Sequence, residues 1–238
     1  MNYQVLEETL KSSKAYSYTS DEELINHFKD KFTIVPFHHD IMFIFHHERE
    51  FQNRNHIISL HQRSSGRVPM HIFHYIVMTY VYSGTFVITV EDETVTLHQG
   101  DIIILDKHVP HSVAPTTEND LGVNIILHEN YFSHRFINKL PNDQLITQFM
   151  IELMNHQHTH NHYLLFYTHQ DQLIHNCIQN ILCEYFDSQL SSDDIIDNYI
   201  MILITHLARI GQYNTNLSVN TFKNKDLLDK ILTGVYPQ

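Results

Sequence analysis

Tryptophan is absent from this 238-residue chain, cysteine occurs twice and alanine three times, and there are six glycines and six prolines. So few cysteines exclude a disulfide framework. Cys177 and Cys183 lie six apart in a helical stretch, roughly 240° around the helix, and match no C-x-x-C pattern, so both read as reduced core thiols. Basic residues are outnumbered 15 to 27 by acidic ones, for a net charge of −12 with histidine neutral. Phosphate neutralisation needs clustered Lys and Arg, so a surface this acidic is a poor nucleic-acid binder. No apolar run approaches bilayer length, Ile102 to Leu105 being typical, so no membrane partner is expected. The first residues form neither a basic nor an apolar segment, which gives no secretion signal and a cytoplasmic expectation. A Gly-rich phosphate loop and a G-x-S-x-G nucleophile elbow are also missing.

Apolar residues make up 42% of the chain, enough to build a core. The 21 histidines could carry the net charge from −12 to +9 if all were protonated. Residues 1–35 read as an extension with one short helix near Asp21 to Lys31, where three acidic residues suit a helix N-terminus. Ile41 to Phe45 and Ile57 to Leu60 are short runs of strand formers. A dense β region follows from His71 to Leu127. Tyr75 to Tyr82 is apolar, aromatic or Thr at nearly every position, as in a strand buried on both faces. Thr85 to Val90 alternates, with Phe86, Ile88 and Val90 on one side. The Ser83-Gly84 pair between them signals a hairpin. Glu91 to Glu93 turns the chain, Thr94 to Leu97 returns it, and Leu121 to Leu127 closes the set. Many short strands at close spacing mean a sandwich or small barrel.

Beyond Glu129 the period becomes helical, beginning with a short helix from Pro141 to about Asn155. Apolar residues from Asp171 to Asp187 fall on one stripe, and Ile195 to Ile210 repeats the pattern. Ser191 to Asp194 starts the second helix and Gly211 stops it, giving an antiparallel hairpin. His156, His158, His160 and His162 alternate with other residues, so an extended chain would place all four on one side. That arrangement reads either as a chelating strip or as a solvated loop before the strand Tyr163 to Tyr167.

The segment Gly100-Asp101-Ile102-Ile103-Ile104-Leu105-Asp106-Lys107-His108-Val109-Pro110-His111 joins a glycine turn, an unbroken apolar strand and a Pro-His pair. Gly100 permits a positive φ, Asp101 can bond turn amides, and Pro110 fixes the backbone before His111. With Tyr80-Val81-Tyr82-Ser83-Gly84 and the trailing helices, it resembles the cupin-like sensor half of AraC-family bacterial transcription regulators, over residues 57–235. The resemblance implies a mainly β fold with α: a cupin-like (jelly-roll) β-barrel at 36–167, with an inserted helical segment at 130–156, then an antiparallel helix hairpin. It also implies a helical dimerisation region at 168–222 and, at 223–238, the start of a DNA-binding unit, Asp226 to Leu232 looking like its first helix.

Metal-binding cupins set two close histidines, a glutamate and a third, later histidine around one ion. Counted from Gly84, the first histidine matches His71 and the last His111. Phe73 and Val77 stand at the other two positions, and His74 would point to the opposite face. No catalytic residue, metal or cofactor is therefore expected. The resemblance places a small effector inside the barrel, against His71, Phe73, Tyr75, Val77, Ile102, Ile104, His111 and Val113. The same residues would equally fill a barrel that binds nothing. It places a homodimer interface on Leu173, Cys177, Ile181, Tyr185, Ile196, Tyr199, Leu203 and Ile210. The function implied is effector sensing and dimerisation rather than enzymatic, with DNA bound only through a C-terminal unit outside this chain. A standalone cupin enzyme, an isomerase or dioxygenase, and a ligand-free interaction module are the alternatives.

Overall fold

The computed structural model describes residues 1–12, 20–47, 51–52, 54–61, 64–90, 93–128, 131, 162–169, 171–211 and 217–221. Two helices, α1 (Tyr3–Ser12) and α2 (Asp21–Lys29), precede the strands. One six-stranded sheet runs β1 (Thr33–Phe37), β2 (Asp40–Phe45), β4 (Val68–Phe73), β9 (His111–Val113), β6 (Thr85–Val90), β7 (Glu93–His98). The other runs β12 (Leu217–Thr221), β11 (His162–Phe166), β8 (Ile102–Leu105), β5 (Ile76–Ser83), β10 (Leu121–Leu127), β3 (His56–His61). The helix hairpin follows as α3 (Gln172–Phe186) and α4 (Ser192–Gly211). This is the expected cupin-like β architecture with its trailing helix pair.

The second sheet is buried on both faces, which explains its uninterrupted apolar strands. Met78, Tyr80, Ile102, Ile104, Val123, Ile125, Leu164 and Phe166 face one core shared with α1, α3 and α4. Val77, Val81, Ile103, Leu105, Ile126, Tyr163 and Leu165 face the other core, shared with the first sheet and α2. Successive residues alternate between the two cores, as the pleat requires.

Several expectations change. Ser83-Gly84 is not a hairpin turn, because β5 and β6 belong to different sheets. It is a corner at which the chain switches sheets. Gly84 has φ +72°, and a Cβ there would sit 2.1 Å from Asp120 Oδ1. That same oxygen accepts from Thr85 N at 2.8 Å and holds the corner closed. The hairpin is instead β6–β7, in register from Thr85–His98 to Val90–Glu93. Residues 1–35 carry two helices rather than one. Leu6 and Leu10 of α1 are fully buried against the second sheet and α3, and Glu7 accepts hydrogen bonds from Tyr82 and Gln179. Residues 217–221, expected with the helices, form β12 beside β11.

The glycine turn works as anticipated. Gly100 has φ +95°, and Asp101 accepts from His98 N at 2.9 Å and Thr168 N at 3.1 Å. Asp171 caps α3 by accepting from Leu173 N and Ile174 N, and its other oxygen meets His206 of α4 at 2.9 Å. Both cysteines are free and buried. The helix at Pro141 to Asn155, the histidine run before His162, and residues 223–238 lie outside the described residues. No helix among the described residues is long and apolar enough to cross a membrane.

Candidate ligand pocket

Between the inner faces of the two sheets lies a cavity of about 270 Å³. The first sheet supplies Phe45, Val68, His71, Phe73, Phe86, Ile88, His111 and Val113. The second supplies Ser59, His61, Val77, Thr79, Leu105, Asn124 and Ile126, and one side is closed by Leu24, His27 and Phe28 of α2 with Lys31 and Phe32 of the turn that follows it. Mostly apolar and aromatic walls with a few convergent polar groups are the usual make-up of a small-molecule site.

The polar centre is a histidine pair. Antiparallel pairing of β4 with β9 sets His71 directly opposite His111, and the ring centroids are 4.1 Å apart. Both side chains are almost wholly buried. His71 is stacked on Phe45 at 4.2 Å and meets the edge of Phe73. Each ring turns its Nδ1 to a backbone carbonyl two residues back: His71 to Pro69 O and His111 to Val109 O, both at 2.9 Å. A carbonyl only accepts, so each Nδ1 carries the proton and donates. Burial lowers the His111 pKa to about 4, against a smaller upward pull from the Val109 carbonyl. Burial, then the neighbouring His111, drives His71 well below its ordinary value. Both rings are therefore neutral at pH 7. On the opposite wall Thr79 donates to Asn124 Oδ1 at 2.8 Å across the β5–β10 pair.

Of the residues expected to line the interior, His71, Phe73, Val77, His111 and Val113 do so. Ile102 and Ile104 do not: they face the helices, and their neighbours Ile103 and Leu105 point inward. A strand buried on both faces shows no alternation, so its parity was invisible in the sequence. Tyr75 also lies away from the cavity, packed against Phe51 and lining a separate cleft with His74, Lys107, His108 and His128. The sequence did not point to His61, Phe45 or Phe86 as cavity residues, and α2, expected as a helix, was not expected at the cavity. The four-residue spacing of Leu24 and Phe28, continued by Phe32 just past the helix, was the available signal for that apolar face.

The proposed interface residues divide as well. Cys177, Ile181, Ile196 and Leu203 are buried against the second sheet, so they cannot face a partner. Tyr199 and Ile210 are partly buried against the same core. Leu173 and Tyr185 are exposed, and so are Leu190, Ile195 and Ile202, which were not anticipated.

A cupin metal would use the two Nε2 atoms, whose rings are oriented by backbone carbonyls as metal-binding imidazoles are. The remaining donors are lacking, since Phe73 and Val77 occupy their places. Among the described residues no three His, Cys, Asp or Glu side chains converge as a metal group. The site does not fit the metal of the enzymatic cupins.

Residues 61–125 match the family model for the cupin domain. No curated protein matches the chain significantly. Among solved structures, the chain is similar to an apo variant of ToxT from Vibrio cholerae, with 12% identity and a TM-score of 0.47, over 69% of this chain and 59% of ToxT. It thus spans about three fifths of ToxT's length. A cupin-2 domain protein from Shewanella frigidimarina is 22% identical, with a TM-score of 0.27, over 30% of this chain and 69% of that one. Oxalate decarboxylase from Bacillus subtilis, a protein with Mn(II) centres, is 17% identical, with a TM-score of 0.29, over 35% of this chain and 23% of its own.

Proposed function

We propose that this chain is the effector-sensing and dimerisation region of an AraC-like transcription regulator. The observation that carries the reading is the cavity between the sheets, walled by aromatic side chains around two neutral histidines. Such a cavity suits reversible capture of a small, largely apolar molecule. A metal-dependent cupin enzyme would require donors that Phe73 and Val77 do not provide. The second sheet joins the cavity to the helix hairpin: Val77 and Leu105 line the cavity, while Met78 and Ile104 of the same strands pack toward α3 and α4. A ligand that shifts this sheet would alter the seat of the helices, and so the geometry of a homodimer and of any attached DNA-binding unit.

The test is a fusion to a heterologous DNA-binding unit that works only as a dimer. Reporter activity is expected, and Ile202→Glu on the exposed face of α4 should abolish it. A fusion that accumulates, stays monomeric by sedimentation and drives no reporter would sink the reading.

A further inference from the structure

The histidine pair does more than border the cavity: it sets which chemistry can enter. Each Nδ1 proton is committed to a backbone carbonyl, so each neutral ring has only its Nε2 lone pair left to offer. Nε2 is the ring nitrogen farther from the backbone, so it is the one that projects away from the strand and toward the interior. Neither Nε2 has a hydrogen-bond partner among the described residues. Two acceptors, on residues at most 5% exposed, thus stand side by side in the chamber. An acceptor that opens on the cavity without a protein partner is satisfied by a ligand that supplies the missing proton.

We infer that the cavity selects ligands with an apolar ring or branched body and at least one O–H or N–H donor aimed at His71 Nε2 or His111 Nε2. This rests on the reading of the cavity as a ligand site and adds the ligand class. A carboxylate or other acceptor-only group placed against the pair itself would set lone pair against lone pair, whereas the Lys31 side of the cavity carries a cation. The size follows from the space: scaled from a roughly 150 Å³ apolar cavity that holds benzene, about ten non-hydrogen atoms fit. The pair keeps the orientation of a metal site but turns it to organic recognition, because the other donors have been replaced by Phe73 and Val77.

Matched probes test this. Indole and benzofuran have nearly the same shape, but indole donates through N–H where benzofuran carries an acceptor oxygen. 4-Ethylphenol and 1-ethyl-4-fluorobenzene form a second such pair. Binding would be followed on the whole chain by titration, with imidazole ¹⁵N signals of His71 and His111 reporting tautomer and contact. Both rings are expected as Nδ1–H tautomers at pH 7, and each donor should bind at least about tenfold more tightly than its partner. In His111→Leu that preference should shrink. Equal binding of donor and non-donor, with both shifting the ring signals, would overturn the donor rule and leave the cavity reading standing. Nε2–H tautomers, or saturation of both rings by one equivalent of Zn²⁺ or Mn²⁺ with no probe discrimination, would overturn it too. If no probe of either class moves the His71 or His111 signals, the cavity reading and this inference fall together.

Discussion

At the residue scale, the molecule keeps two imidazoles neutral by burying them and fixing their protons. That has a consequence for stability. The folded pKa of His111 is lowered to about 4 by burial, while the unfolded chain retains a value near 6.5. Between those values the unfolded state takes up a proton that the folded state refuses, so the stability contributed by a neutral His111 is full above pH 6.5 and is lost as pH falls toward 4. The size is about 3 kcal/mol for this one ring. Denaturant unfolding at about pH 7.5 and about pH 4.5 should therefore show a smaller acid loss in His111→Leu than in the wild type. Parallel losses would mean that His111 is not held neutral. His71 is shifted in the same direction and should give a loss of the same sign.

At the scale of elements, two glycine corners and one unanticipated helix hold the barrel. Gly100 sits at φ +95°, and a Cβ there would meet the His169 backbone at 2.4 Å. Backbone cannot yield as a flexible side-chain end can, so Gly100→Ala should cost about 3 kcal/mol, seen as a lowered melting temperature. Leu6 of α1 is fully buried, and Leu6→Ala should also cost about 3 kcal/mol; an unchanged midpoint would make α1 a dispensable strap. These elements were unequally visible in the sequence. β6 declared itself through strict alternation, and α3 through its apolar stripe. β5 and β8 were visible as strands but not by face, since both of their faces are buried. α1 went unseen because only Leu6 and Leu10 of its ten residues reach the core. His71 and His111 could be found by motif, whereas His61, Phe45 and Phe86 join them only through tertiary packing that no local spacing records. The Ser83-Gly84 signal was a real turn with the wrong partner: the sequence shows where a chain bends, not which sheet receives it.

At the scale of the whole molecule, association must overcome charge. Two copies each carrying −12 repel, so a homodimer has to draw on apolar surface. α4 offers that surface on one face only. Ile195 and Ile202, seven residues apart and so nearly aligned on the helix, are exposed, while Ile196 and Leu203 beside them are buried in the protomer. The two faces make opposite predictions. Ile202→Glu should leave the melting temperature of the protomer within a degree or two, because the side chain is 49% exposed, yet shift sedimentation from dimer to monomer. Leu203→Ala should cost about 3 kcal/mol of folding stability by opening a cavity against the second sheet. Screening adds an independent check: raising salt from low concentration to roughly 0.5 M shortens the range of the repulsion, so the proposed homodimer should tighten rather than loosen. A dimer that weakens with salt would be held by ion pairs, and a chain that sediments as a monomer at every salt concentration would remove the α4 face from any role in assembly.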